Sequence, residues 1–150
     1  MVRIQYDPQN LKFRLLFYKM VKKNIELVNS LWWLTLLAGF CIYIFFRSNN
    51  LIYNIFFSFP VKLNVQNNSF VTDFLVYSLP NGLWSLSYSQ LIFHIYKDIR
   101  FKIVLLSSLM FFFGILIEVF QFQGFIAGHF DIIDIFTYVI FHSLILVIQK

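Results

Sequence analysis

The sequence is poor in charge. Only 13% of its 150 residues are Asp, Glu, Lys or Arg, about half the share of an average soluble domain. It has one cysteine, Cys41, set in an apolar run. That excludes an intramolecular disulfide and a cysteine-based metal cluster. A Walker-type phosphate loop, a serine-hydrolase elbow, a zinc-binding HExxH and a dinucleotide fingerprint are all missing. No nucleophile–base pair is evident, there is no internal repeat, and no soluble domain is expected at either end.

What is present is apolar. The chain is 59% hydrophobic and 21% aromatic, with a mean hydropathy of +0.72. A soluble chain this short could not bury so much apolar surface. The expectation is a single all-α integral membrane domain over residues 1–150, with the lipid bilayer as its main partner. The net charge of +5 invites a nucleic-acid reading, but basic cytoplasmic loops explain it better, so no nucleic acid is expected.

Residues 1–27 carry Arg3, Lys12, Arg14, Lys19, Lys22 and Lys23 between apolar residues at helical spacing. This predicts a basic amphipathic helix on the membrane surface, with a solvated N-terminal extension of the first membrane helix as the alternative. Runs long enough to span about 20 residues of hydrocarbon depth follow. They predict membrane helices at 28–46, 74–96, 103–122 and 132–148. Asn50, Asn54 and Ser58 recur among apolar residues and suggest a short interfacial helix ended by Pro60. A glycosylation-like sequon begins at Asn67 and carries little weight in a bacterial chain. Ten of the twelve Lys and Arg fall on the side of the termini, and only Arg47 and Lys62 on the other. That asymmetry predicts both termini in the cytoplasm, at a bacterial inner membrane.

The acids are placed unusually. Three of seven, Glu118, Asp131 and Asp134, fall in the stretch 114–138. Ionisable groups beside a bilayer are costly and mark candidate function. Glu118 and Gln121 are three apart on one helix, and Asp131 and Asp134 three apart on the next. A short connection makes those helices antiparallel neighbours. Asn81, near the break at Pro80 and Gly82, supplies a third wall, and Tyr138 and His142 continue the Asp134 stripe inward. The expectation is an outward-facing polar pocket. Structural readings stand beside it. Asp131 can be an N-cap, Asp134 can complement the helix dipole, Gln121 can join helices, and Asn81 can repair the backbone near Pro80. His129 is a proton-transfer group or an outer-loop residue, and His94 and His142 read as packed histidines.

Three carboxylates without a Lys or Arg at their depth suit a cation, a proton, or hydroxyl and amide groups. Oxygen donors favour magnesium or calcium, with Glu118, Asp131 and Asp134 as ligands. Glu118 is the candidate acid or base, and Gln121, Asp131, Asp134, Asn81, His129 and Tyr138 are candidate binding residues.

Glu118-x-x-Gln121, Asp131 and Asp134, with Pro80-Asn81-Gly82-Leu83-Trp84 before them, resemble the motifs of the VanZ-like family of small bacterial membrane proteins. The resemblance covers residues 79–141. Gly128, with His129 beside it, stands at the family's Arg position, Tyr138 at its Asn and Phe141 at its Gly. The resemblance implies a four-helix membrane fold and a cell-envelope role, in a family associated with glycopeptide (teicoplanin) resistance. It points to a pocket that binds or modifies an envelope lipid or glycan precursor. The other classes are a non-enzymatic assembly subunit and a small proton-coupled transporter using Glu118 and His142. Few polar groups in the inner halves of the helices argue against transport.

Overall fold

The computed structural model describes residues 8–46, 69–97 and 100–149. All regular structure among them is helical, with no strand. The expected short helix near 50–59, Pro60, the sequon, Arg3, Arg47, Lys62 and Lys150 lie outside the described residues. In chain order the elements are α1 (Pro8–Ser30), α2 (Trp32–Phe46), α3 (Phe70–Asp73), a π-helical turn (Phe74–Ser78), α4 (Leu79–Tyr96), α5 (Phe101–Ser107), α6 (Leu109–Phe122) and α7 (Ile132–Ile148).

The basic N-terminal segment is helical, but it is not a separate surface helix. Only Leu31 divides α1 from α2, and Leu16–Phe46 forms one helical stretch of 31 residues, long and apolar enough to cross a membrane. Leu31 N–H bonds back to Val28 at 3.2 Å, a tighter turn than the flanking helix. The carbonyls around this break find partners on α4. Gln90 Nε2 donates to Val28 O at 3.2 Å, and Ser87 Oγ donates to Trp32 O at 2.7 Å. Thr35 Oγ1 donates to Gln90 Oε1 at 2.8 Å. Polar side chains that satisfy a broken helix are what an apolar surround demands.

The second expected helix starts earlier than 74. Ser69 caps α3: its Oγ accepts from Val71 N–H at 3.4 Å, and its own N–H donates to Thr72 Oγ1 at 3.2 Å. This is a reciprocal capping box. The π turn precedes Pro80, which has no N–H and whose ring crowds the carbonyl four residues back. Widening the turn, with Leu79 N–H bonded to Phe74 O, relieves that crowding.

The third expected helix is broken rather than continuous. α5 and α6 meet at Ser108 with a bend of 43°, and the pair passes as a membrane span only if taken together. The Ser107 and Ser108 hydroxyls both donate to Val104 O at 2.8 Å, and Ser89 Oγ donates to Ser107 O at 2.8 Å. Hydroxyls that compete for carbonyls bend helices. The fourth helix, α7, falls at the expected residues; it is apolar but shorter than a full-length span.

α4 sits at the centre and touches α1, α2, α5, α6 and α7. Its small residues allow this. A Cβ on Gly82 would lie 2.5 Å from Thr137 and 2.6 Å from Phe141, so α7 crosses α4 directly over bare backbone. Ser78 at the end of the π turn and Ser85 and Ser89 on α4 are all buried.

The packing is inverted relative to a water-soluble domain. Among the described residues thirteen buried side chains are polar or charged and seven are apolar, while Leu, Phe, Ile and Val crowd the exterior. Large exposed apolar surface marks an interaction with an apolar phase or a partner.

Candidate functional site

The turn between α6 and α7 brings the acids together. α6 ends in a Schellman motif. Gly124 takes the left-handed position with φ +74°, its N–H bonds Gln121 O at 3.0 Å, and Phe125 N–H bonds Phe120 O at 2.9 Å. The Phe120 and Phe125 rings meet edge to face at 6.1 Å, which supplies the motif's apolar contact. The chain then returns antiparallel and α7 starts at Asp131. Its Oδ1 accepts from Ile133 N–H at 2.8 Å. Asp131 is therefore an N-cap, as its structural reading held.

Glu118 and Asp134 are both buried, at 5% and 7% exposure. Glu118 Oε2 accepts from Asp131 N–H at 3.1 Å, so an α6 carboxylate also caps α7. Glu118 and Asp134 are close enough to interact, and two carboxyl groups so placed can hydrogen-bond only by sharing a proton. Asn81 Nδ2 donates to Asp134 Oδ2 at 2.9 Å. Asn81 thus belongs to the cluster rather than only repairing the backbone near Pro80. Glu118, Asp131, Asp134 and Asn81 form one connected group drawn from α4, α6 and α7.

The remaining expected residues are placed differently. His129 is exposed. Tyr138 is half-buried, its ring lying where a Cβ on Gly114 would be, so it packs across the α6–α7 crossing. Gln121 is half-buried, and its Oε1 meets no donor among the described residues. Its amide fills the space a side chain at Gly128 would need, and Gly128 has φ +155°. A larger residue there, arginine included, would displace Gln121.

The metal reading gains no support. Asp131 Oδ1, Glu118 Oε2 and Asp134 Oδ2 are turned to protein donors. Among the described residues no group of three His, Cys, Asp or Glu side chains is arranged to hold a metal ion. What the cluster can do is accept hydrogen bonds or hold a proton.

Sequence reasoning undercounted the polar interior beyond the cluster. Besides His142, read as a packed histidine, Ser85, Ser87, Ser89, Gln90, Ser107, Ser108 and Gln149 are all buried. His142 Nε2 lies 2.9 Å from Ser108 Oγ at the helix break, and its ring stacks on Phe111 at 4.8 Å. Asn29 and Gln149 exchange amide hydrogen bonds of 3.3 and 2.8 Å across 120 residues of chain. Their only sequence signal was an amide in an otherwise apolar setting, which names no partner.

No family model, curated protein or solved structure matches the chain.

Proposed function

We propose that the chain is a multi-pass protein of the bacterial inner membrane, of the VanZ-like type, with four spans and cytoplasmic termini. The inverted packing and the basic loops support this reading. The spans would be α2, the helix 70–96, the bent pair α5 and α6, and α7. A broken span is tolerated where protein covers the break, and Ser108 is buried.

In that frame the acidic group faces outward and receives the polar part of an envelope lipid or glycan precursor. One observation carries it: Glu118 and Asp134 are buried close together on two helices, and Asn81 of a third, itself half-buried, donates to Asp134. Carboxylates accept from the hydroxyls and amides in which glycans are rich. In an enzymatic version Glu118 is the acid or base, with Asp131 and Asp134 orienting the substrate. A second reading, a non-enzymatic assembly subunit, draws on the same bonds: Glu118 of α6 caps α7 and Asn81 of α4 donates to Asp134 of α7, so both hold helices together.

The test has two parts. Protein purified in a neutral detergent is offered a polyprenyl-linked saccharide, and retention is read by native mass spectrometry. Glu118→Gln and Asp134→Asn should each lower retention about tenfold or more, as hydrogen bonds to charged groups do. Retention unchanged in both variants ends the pocket reading. For topology, single cysteines in a Cys41→Ser background are probed in intact cells with an impermeant maleimide. Gln123→Cys should label and Lys97→Cys should not. The opposite pattern overturns the orientation.

A further inference from the structure

A cavity of 430 Å³ opens at the far end of the bundle from the carboxylates, between α1 and the C-terminal ends of α4 and α7. Its volume suits a small-ligand site, for which about 300–1,000 Å³ is usual. Polarity is graded across it. Lys22 and Lys97 are exposed at the rim, while Phe93, Asn29 and Gln149 are buried at the floor. The floor amides satisfy one another, so the floor is closed and presents no unmet polar demand. Val21 and Ile25 add apolar wall, and among the described residues Glu26 is the single acid in the lining. Lys97 does not hang from a free loop. It ends α4 in the left-handed region, at φ 50°, with its N–H on Phe93 O at 2.9 Å. That bond fixes the backbone carrying Lys97 above the Phe93 floor.

The geometry points to a site for the phosphate headgroup of an anionic phospholipid, held between Lys22 and Lys97 with its glycerol end against Val21 and Ile25. It rests on the membrane reading proposed above, though not on the acidic cluster. Two cations from separate helices face one volume, against one anion. Basic pockets between membrane helices on the cytoplasmic side suit such headgroups. A free phosphate would share the lysines but make no use of the apolar wall, and this favours the lipid.

The full chain in neutral detergent is titrated with phosphatidylglycerol and followed by native mass spectrometry, with phosphatidylcholine and inorganic phosphate as comparators. Phosphatidylglycerol should be retained in preference to phosphatidylcholine. Lys22→Gln and Lys97→Gln should each weaken it about fivefold, and together about 25-fold, on the usual contribution of a lysine near an anionic headgroup. Lys19→Gln and Lys23→Gln, exposed on α1 but outside the lining, should leave it unchanged. Glu26→Gln should tighten it. Equal retention of the two lipids overturns the site. So does an equal loss from Lys19→Gln and Lys23→Gln, which would mean a diffuse basic surface. Displacement by inorganic phosphate at matched concentration overturns the lipid assignment in favour of a phosphate site. Lipid selectivity measured in detergent does not depend on orientation, so a failed cysteine-labelling result reads separately from a failed lipid result.

Discussion

The two ends of the bundle are joined by opposite chemistry. At one end Asn29 and Gln149 form a neutral pair in which each amide gives and takes. At the other, three carboxylates meet the Asp131 and Ile133 N–H groups and the Asn81 amide. An amide balances donors with acceptors, whereas an ionised carboxylate only accepts. The amide end is therefore a self-sufficient clasp. The acidic end has acceptor capacity beyond what a clasp needs, and this is the physical reason to look for a ligand there. Where polar groups are withdrawn from water, both arrangements count for more than the same bonds on a soluble surface.

Both ends depend on α7 lying against α4, so the harshest way to break the comparison is at their crossing. Gly82→Leu would drive a side chain into Thr137 and Phe141. The expected loss is about 3 kcal/mol, the upper part of the range for overpacking. It should appear as a lower thermal midpoint in detergent and poor recovery of monodisperse protein. An unchanged midpoint would mean that α7 is not held against α4 at that point.

The clasp is sharpened by a double-mutant cycle. Asn29→Leu alone leaves Gln149 buried without its partner and should cost about 2 kcal/mol. Adding Gln149→Leu removes the orphan and should restore most of the stability, because replacing both partners by apolar groups is close to neutral. If the double variant is as unstable as the sum of the singles, the pair is not a clasp.

How far these ends could be read from sequence follows from their range along the chain. The meeting of Glu118 with Asp131 and Asp134 was legible, because a short glycine-bearing turn forces antiparallel neighbours and the i,i+3 spacing sets the face. The bounds of α7 were legible for the same local reason. The break at Ser108 was not, since serine carries no propensity signal strong enough to interrupt an apolar run, and the bend arises where the Ser107 and Ser108 hydroxyls donate to Val104 O while Ser89 of α4 donates to Ser107 O. The Asn29–Gln149 clasp depends on tertiary closure over 120 residues, which periodicity cannot register. The continuity of α1 with α2 was legible only as the alternative: a shift from basic to apolar looks like a boundary, yet the backbone runs on with only Leu31 between them.

A milder change separates capping from binding within the acidic end. Asp131→Ala removes the oxygen that holds Ile133 N–H. It should cost about 1 kcal/mol, the usual effect of losing an N-cap. Glu118 still accepts from the residue 131 N–H, which limits the damage. A loss above about 3 kcal/mol, read from the thermal midpoint, would show that Asp131 does more than cap.

The smallest stability effect should come from Glu118→Gln, and its smallness is the point. A glutamine oxygen can still accept from Asp131 N–H, and its NH₂ can donate toward Asp134, so the clasp survives and the midpoint should shift by less than about 1 kcal/mol. What disappears is the surplus acceptor and the group able to hold a proton. If the acidic end were only a clasp, like the amide end, this variant would behave as wild type in every measurement. If it is a binding site, a protein of unchanged stability should fail to retain the saccharide probe. Normal folding with lost retention distinguishes the two ends of the molecule in function as well as in chemistry.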